Sequence, residues 1–288
     1  MKVLLINRLH HKNLNALINY KKIDFTIINT ISEIDKYDLE QFNCVYSPSE
    51  PINTSLYPNI KFIFGPHFSV FPFNNLEDIK YNNSIYIQPS EWSVNIWKNN
   101  PLCNNLTIKN YCFGVDTETF KPSNIIRNKV FIYFKNRNPK ELYYIEKFLN
   151  NKNIEYKVFS YKEGYNEKNY LEYLKQSKYG IWIGCHESQG FALEEALSCN
   201  VPLLVWNVKY MSQEYEYNYP NYSATSIPYW DSSCGEFFYN IHDMYNTFEI
   251  FIENINNNKY NPREYILKNL SIEVCEKEFI KLIENIKI

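Results

Sequence analysis

Short apolar runs recur along the first third of the chain, and each ends in polar or turn-forming residues. They are "KVLLIN" (2–7), "DFTIIN" (24–29), "CVYS" (44–47), "KFIFG" (61–65) and "SIYIQ" (84–88). Runs of this length between turn signals predict buried strands, and "SEWSVNIWKNN" (90–100) predicts a helix capped by Ser90. Strands that alternate with helices are typical of a parallel sheet covered by helices.

The pattern stops at "NYCFGVDTETFKPSN" (110–124) and then starts again, which places a linker near 114–126. The strands predicted beyond it are "KVFIYF" (129–134), "EYKVFS" (155–160), "YGIWIG" (179–184) and "VPLLVW" (201–206), with helices near 139–150, 167–176 and 190–199. A second α/β unit is therefore predicted.

From Cys234 onward the pattern predicts helices over 235–255, 262–270 and the C-terminal segment. In the last helix Ile272, Cys275, Phe279 and Leu282 form one apolar stripe. We expect this stripe to dock on a core, and peripheral contact with a membrane surface is the alternative.

Composition sets limits on the function. The chain has 288 residues, 45% of them hydrophobic, which favours two folded domains. Its formal net charge of -2 argues against a nucleic-acid partner bound through many phosphate contacts. Seven widely spaced cysteines without a metal-binding pattern indicate free thiols in a reducing compartment, and the apolar N-terminal run is too short for a leader or a membrane span. These observations favour a cytoplasmic protein.

The stretch "HESQGFALEEALSCNVPLLVW" (186–206) joins a predicted strand to a predicted helix, and ligands bind at such strand ends in open parallel sheets. The helix start favours an anion, and Gly190 lets the anion approach the backbone. Helical periodicity places Glu195 at the edge of the buried face and Glu194 toward water. Glu187 and Glu195 are acceptors suited to pairs of sugar hydroxyls, although glutamates at a helix start are often only surface residues.

This stretch resembles the E-x7-E signature of retaining GT-B glycosyltransferases of the family 4 type. The spacing of Glu187 and Glu195 and the continuation "EALSCNVPLLV" match, whereas Ser188-Gln189 and Asn200 depart from the pattern. "FGVDTETFKP" (113–122) and "PSEWSVNIW" (89–97) are also similar to segments of that family.

The resemblance implies an α/β protein of the GT-B fold, with two Rossmann-like domains facing a cleft and a C-terminal helix crossing back to the N-terminal domain. The expected division is an acceptor-binding domain over 1–118, a nucleotide-sugar-binding domain over 119–270, and a terminal helix over 271–288 that packs on the first domain.

The resemblance also implies residue roles. Glu187 would hold hydroxyls of the transferred sugar, Glu195 those of the ribose, and Gly190 and Phe191 would offer backbone N–H groups to the donor. Lys135 and Lys140 keep the spacing of the family's diphosphate-binding cations, although the first is an arginine in the family.

Arg137 lies between these lysines, and three cations could neutralise a diphosphate without a metal or other cofactor. A solvated basic loop is the alternative. His67, after a predicted strand, is the candidate from the acceptor domain, and His186 neighbours Glu187, although a lone histidine is often only structural.

These features predict a retaining, metal-independent glycosyltransferase of the hexosyltransferase type, with a nucleotide-sugar and a sugar or glycan acceptor as partners. The alternatives are a catalytically weak or inactive binding module of the same fold and a sugar-nucleotide epimerase. Nothing in the residues identifies the base, the sugar or the acceptor.

Overall fold

The computed structural model describes residues 1–73 and 76–288. Contacts within the chain divide it into two units, of which one comprises Met1–Gly114 with Leu270–Ile288 and the other Val115–Asn269. Among the described residues, no helix is both long and apolar enough to cross a membrane.

The N-terminal unit contains a six-stranded parallel sheet in the order β2-β1-β3-β4-β5-β6. Its strands are β1 (Lys2–Ile6), β2 (Asp24–Ile28), β3 (Cys44–Ser47), β4 (Phe62–Phe64), β5 (Ser84–Gln88) and β6 (Ile108–Asn110). Its helices are α1 (His11–Ile18), α2 (Glu91–Lys98) and α8 (Ile272–Asn285). The five strands predicted from apolar runs are all present, and β6 was not predicted.

Two local features of this unit follow from the sequence. Ser90 precedes α2 as its N-cap, as predicted, because its short polar side chain can satisfy N–H groups at the helix start. The C-terminal helix α8 buries Cys275, Phe279 and Ile283 within the same unit. Two residues of the predicted stripe, Cys275 and Phe279, are buried, and Ile283 is buried more deeply than the expected Leu282.

The second unit contains a five-stranded parallel sheet in the order β11-β10-β9-β7-β8. Its strands are β7 (Lys129–Lys135), β8 (Lys157–Ser160), β9 (Ser177–Gly184), β10 (Leu203–Trp206) and β11 (Gly235–Phe238). Its helices are α3 (Pro139–Asn151), α4 (Glu167–Leu174), α5 (Phe191–Ser198), α6 (Met244–Asn256) and α7 (Pro262–Asn269). Two parallel-sheet, Rossmann-like domains are therefore confirmed.

One predicted element is wrong. A continuous helix over 235–255 was expected, but Gly235–Phe238 forms the edge strand β11, and the helix begins at Met244. Gly235 has a φ of 140°, and a Cβ there would lie 1.9 Å from the carbonyl oxygen of Leu203 on β10. Pairing with a distant strand, which helical periodicity does not report, therefore decides the conformation of this segment.

Both sheets change strand order at one place. In each, the first strand of the unit lies between the second and the third, so the crossovers on its two sides run in opposite directions. Ligands of open α/β sheets bind outside the carboxyl ends of the strands at such a switch point. The switch points lie between β1 and β3 in one unit and between β7 and β9 in the other.

Candidate active site

A lysine and a glutamate form an ion pair at the switch point of the second unit. Lys135 is the last residue of β7 and pairs in register with Gly184, the last residue of β9. The chain after Gly184 turns back, and the Lys135 Nζ lies 2.8 and 2.9 Å from the two carboxylate oxygens of Glu187. The two side chains are only 19% and 11% exposed. The sequence predicts that both residues bind the nucleotide-sugar donor, and the fold places their side chains in direct contact.

The surroundings keep the Lys135 side chain charged. Burial by itself would lower the pKa of Lys135, but the nearby Glu187 carboxylate and Cys185 raise it, and the net pKa lies above the ordinary value. The Nζ of Lys135 also lies 4.8 Å from the ring centroid of Tyr161, within the range of a cation–π contact. A fixed ammonium and a carboxylate at a strand end provide a phosphate ligand and a hydroxyl acceptor side by side.

The turn after Glu187 leads directly into α5, whose N-cap is Gly190. Gly190 has a φ of 96°, in the left-handed region that favours glycine, and a Cβ there would lie 3.4 Å from the Cβ of Glu187. Phe191 is the first residue of α5. Because the first N–H groups of a helix lack partners within the helix, this turn presents donors beside the carboxylate of Glu187.

The buried face of α5 is wider than its periodicity suggested. Glu194 was predicted to point toward water, but it is fully buried, and Gln189 Nε2 donates to its carboxylate at 3.2 Å. The prediction for Glu194 is therefore wrong. Helix α5 packs against α7, and six of its eight residues are buried, so little of its circumference reaches solvent.

Glu195, the second glutamate of the spaced pair, is also buried, with 5% of its surface exposed. It lies one turn into α5, and its charge contributes to raising the pKa of Tyr170, although burial of that phenol is the main cause. The Tyr170 hydroxyl donates to the carbonyl of Ala192 on α5 at 2.9 Å. Glu195 is thus held inside the fold, close to the helix start.

Arg137 and Lys140, the other predicted cations, have different surroundings. Arg137 is 2% exposed, and it donates to the carboxylate of Glu141 at 2.8 and 2.7 Å and to the carbonyls of Gly184 and Trp206, both at 2.9 Å. It therefore joins the carboxyl ends of β9 and β10, and its donor-binding role stays a prediction. Lys140 is exposed at the start of α3.

His186 lies beside a carboxylate that the sequence reasoning missed. Its Nδ1 is 3.3 Å from Glu214 Oε2, and the other oxygen of Glu214 accepts from Asn136 Nδ2 at 2.7 Å. Desolvation and, to a smaller extent, Lys135 lower the pKa of His186 to about 4, so the ring is neutral near pH 7. Desolvation likewise raises the pKa of Glu214.

Nothing in the sequence near residue 186 indicates Glu214 or Asn136. Glu214 lies in a tyrosine-rich segment, "KYMSQEYEYNYP" (209–220), which carries no motif. The backbone N–H of Tyr215 bonds to the carbonyl of Asn136 at 2.9 Å and brings the segment to the end of β7. Asn136 has a left-handed φ of 47°, a conformation that asparagine tolerates.

His67, the histidine predicted from the N-terminal unit, lies beyond β4. Its Nε2 is 3.4 Å from Asn13 Nδ2 on α1, and its backbone N–H donates to Pro48 after β3. Desolvation, and in smaller part His10, lowers the pKa of His67, although the residue is exposed by its surface area. His67 therefore lies at the carboxyl end of its own sheet.

Solved structures show the fold to which this arrangement belongs. AviGT4, a glycosyltransferase involved in avilamycin A biosynthesis, matches 99% of this chain over 97% of its own length, with a TM-score of 0.55 and 10% identity. Sucrose-phosphate synthase from Thermosynechococcus elongatus matches 99% of this chain over 98% of its own, with a TM-score of 0.55 and 9% identity.

A third match is the N-terminal domain of trehalose-6-phosphate phosphatase from Candida albicans. The match extends over all of this chain and 96% of that domain, with a TM-score of 0.59 and 10% identity. By contrast, this chain spans 51% of TarM, with a TM-score of 0.47 and 16% identity.

No family model matches the chain, and no curated protein matches it. At such low identities, likeness shows the fold and leaves the activity to be argued from the residues. The chain has the GT-B fold of two Rossmann-like domains.

Proposed function

We propose that this chain is a retaining glycosyltransferase that moves a sugar from a nucleotide-sugar donor to a sugar, glycan or other acceptor. The observation that carries the proposal is the buried Lys135–Glu187 pair at the switch point between β7 and β9, one turn before the start of α5. In this fold a ligand with both phosphate and hydroxyl groups suits that position.

The phosphate half of the donor would meet positive groups. Lys135 supplies a buried ammonium, Lys140 an exposed one at the start of α3, and Gly190 and Phe191 the backbone N–H groups of the α5 turn. Together these groups would offset the charge that develops on a leaving diphosphate, so the proposed transfer step requires no metal.

The hydroxyl half of the donor would meet carboxylates. Glu187 would accept from hydroxyls of the transferred sugar, and Glu195, further along α5, from those of the ribose. An ionised carboxylate only accepts hydrogen bonds, so a ring with adjacent hydroxyls is a matching donor. The Lys135 ammonium donates to both carboxylate oxygens of Glu187, and a bound diphosphate would share that ammonium.

Retention of configuration would follow from transfer on one face of the sugar. The leaving phosphate oxygen would take the proton of the acceptor hydroxyl as the new glycosidic bond forms, which requires no separate nucleophile. His186 would orient the sugar from its position beside Glu187, and His67 would bind acceptor hydroxyls in the N-terminal unit. The proposed location is the cytoplasm.

The experiment begins with a thermal-shift screen of UDP-, GDP-, ADP- and dTDP-sugars, because a specific donor stabilises the folded state by mass action. The selected donor is then incubated with acceptors, and transfer is followed by mass spectrometry. Glu187→Gln should lower the transfer rate on the order of 10²-fold, the usual cost of losing one group that stabilises the transition state.

Glu172→Gln is the matched control, because Glu172 forms an exposed ion pair with Lys175 at 2.9 Å on α4 of the same unit. It should retain wild-type transfer. Full activity in Glu187→Gln would contradict the site assignment, and conversion of the free nucleotide-sugar without transfer would replace the proposed reaction by epimerisation.

A further inference from the structure

Three side chains of types that can bind a metal ion lie close together beside the proposed donor site. Cys185, His186 and Glu214 each bring one ligand atom to a common point, and these atoms lie within 4.8 Å of one another. Cys185 directly follows β9, and Glu214 reaches the same place from the tyrosine-rich segment. The residues are largely buried, so the cluster is not a chance grouping of exposed side chains.

The ligand types and distances suit a zinc ion. Thiolate, imidazole and carboxylate are its usual protein ligands, with bonds of about 2.0–2.3 Å in a tetrahedron, which places two ligand atoms about 3.4 Å apart. His186 Nδ1 and Glu214 Oε2 already lie 3.3 Å apart. The Cys185 sulfur, which lies within 4.8 Å of both atoms, would need to approach them by up to about 1.4 Å to complete the set.

A supporting contact holds the carboxylate in place. Glu214 Oε1 accepts from Asn136 Nδ2 at 2.7 Å, which leaves Oε2 directed toward His186. Hydrogen bonds of this kind orient metal ligands, and their loss typically weakens metal affinity about 10–100-fold. Asn136 is itself fixed by the backbone bond from Tyr215 at 2.9 Å.

The charges around the cluster balance when a divalent ion is added. The ion and the ammonium of Lys135 would supply three positive charges, and the carboxylates of Glu187 and Glu214 with a Cys185 thiolate would supply three negative ones. The thiolate rather than the thiol is the metal ligand, so metal binding would release the thiol proton of Cys185.

We propose that Cys185, His186 and Glu214 form a binding site for zinc or a similar thiophilic divalent ion. Three protein ligands leave a fourth position of the tetrahedron for water or another small ligand. The inference does not rest on the proposed glycosyl transfer, which uses the cations of the chain, and it is measured by binding rather than by activity.

The test is a titration of reduced, metal-free protein with Co²⁺, a spectroscopic substitute for zinc. We expect one equivalent to bind, with a thiolate-to-cobalt charge-transfer band in the near ultraviolet that Zn²⁺ abolishes by displacement. Calorimetry of Zn²⁺ binding in buffers of different ionisation enthalpy should show release of a proton. Absence of the band and of Zn²⁺ binding in the wild-type protein would overturn the proposal.

Variants locate the site. Cys185→Ser should abolish the charge-transfer band, and Asn136→Ala should weaken Co²⁺ binding about 10–100-fold while leaving the band intact. Glu214→Gln keeps the shape of the side chain and should weaken binding further than Asn136→Ala, with circular dichroism as the check on folding.

Cys112→Ser is the matched control, because Cys112 and Cys275 bring two sulfurs within 3.7 Å in the N-terminal unit and could bind Co²⁺ themselves. It should keep the band of the wild-type protein. A band that persists in Cys185→Ser and disappears in Cys112→Ser would assign the metal to the other thiols and overturn the proposal.

Discussion

Each of the two switch points carries an ion pair of one basic residue and one glutamate, in different surroundings. In the N-terminal unit, Arg8 follows β1 and contacts Glu50, which follows β3, with side chains 50% and 29% exposed. In the second unit, Lys135 ends β7 and contacts Glu187, which follows β9, with side chains 19% and 11% exposed. Both sheets have the same strand order around the switch point, but the two ion pairs differ in how deeply their side chains are buried.

Burial changes what an ion pair does. An exposed pair gains little, about 0–1 kcal/mol, because water screens both charges and the side chains lose freedom. A buried pair adds little net stability as a whole, but removing one partner leaves an uncompensated charge and costs about 3–5 kcal/mol. The buried pair therefore holds its charges in place for a ligand, whereas the exposed pair can exchange partners freely.

The largest expected effect is on stability. Lys135→Met removes the ammonium and leaves the Glu187 carboxylate buried without it, so the free energy of unfolding should fall by about 3 kcal/mol. Arg8→Met should lower it by less than about 1 kcal/mol. Urea denaturation followed by circular dichroism measures both, and equal losses would remove the distinction between the two switch points.

A smaller effect is expected one turn further along the chain. Gln189→Leu removes the amide that donates to buried Glu194 at 3.2 Å, and loss of a donor to a buried acceptor costs about 1–3 kcal/mol. The counterpart in the other unit is Ser49→Ala, which removes a hydroxyl bond to the carbonyl of Arg8. That change should stay within about 0.5 kcal/mol in the same urea experiment, and an equal cost would contradict the account.

The smallest effect concerns the aromatic ring beside the lysine. Tyr161 is 52% exposed, and Lys135 Nζ lies 4.8 Å from its centroid. Tyr161→Leu should cost about 0.5–1 kcal/mol in urea denaturation, and Tyr161→Phe almost nothing, because the ring rather than the hydroxyl attracts the cation. A larger loss in Tyr161→Phe would indicate a role for the hydroxyl instead.

The architecture was readable from the sequence because buried parallel strands are continuous apolar runs. Those between 2 and 88 and between 129 and 206 correspond to nine strands of the structure. The exceptions are β6 and β11. β6 has only three residues, one of them buried, so it leaves no apolar run. β11 is followed by residues that continue a helical pattern, so only the pairing of Gly235–Phe238 with β10 reveals it.

The sequence predicts those residues of the candidate site that lie in one turn or at the end of a predicted strand. Glu187 and Gly190 lie in one turn, and Lys135 ends an obvious strand, so a strand-end rule brings them together. Glu214 was not predictable, because a backbone bond from Tyr215 places it beside residues that carry no matching signal. The burial of Glu194 was missed because helical periodicity does not report how many neighbours surround a helix.

The central claim is that the donor binds at the switch point of the second unit, and donor-induced stabilisation tests it most directly. The shift in melting temperature produced by a saturating nucleotide-sugar is measured for the wild-type protein, Glu187→Gln and Glu50→Gln. We predict that Glu50→Gln keeps the shift and that Glu187→Gln loses most of it, because only Glu187 contacts the donor. A shift retained in Glu187→Gln and lost in Glu50→Gln would contradict the account.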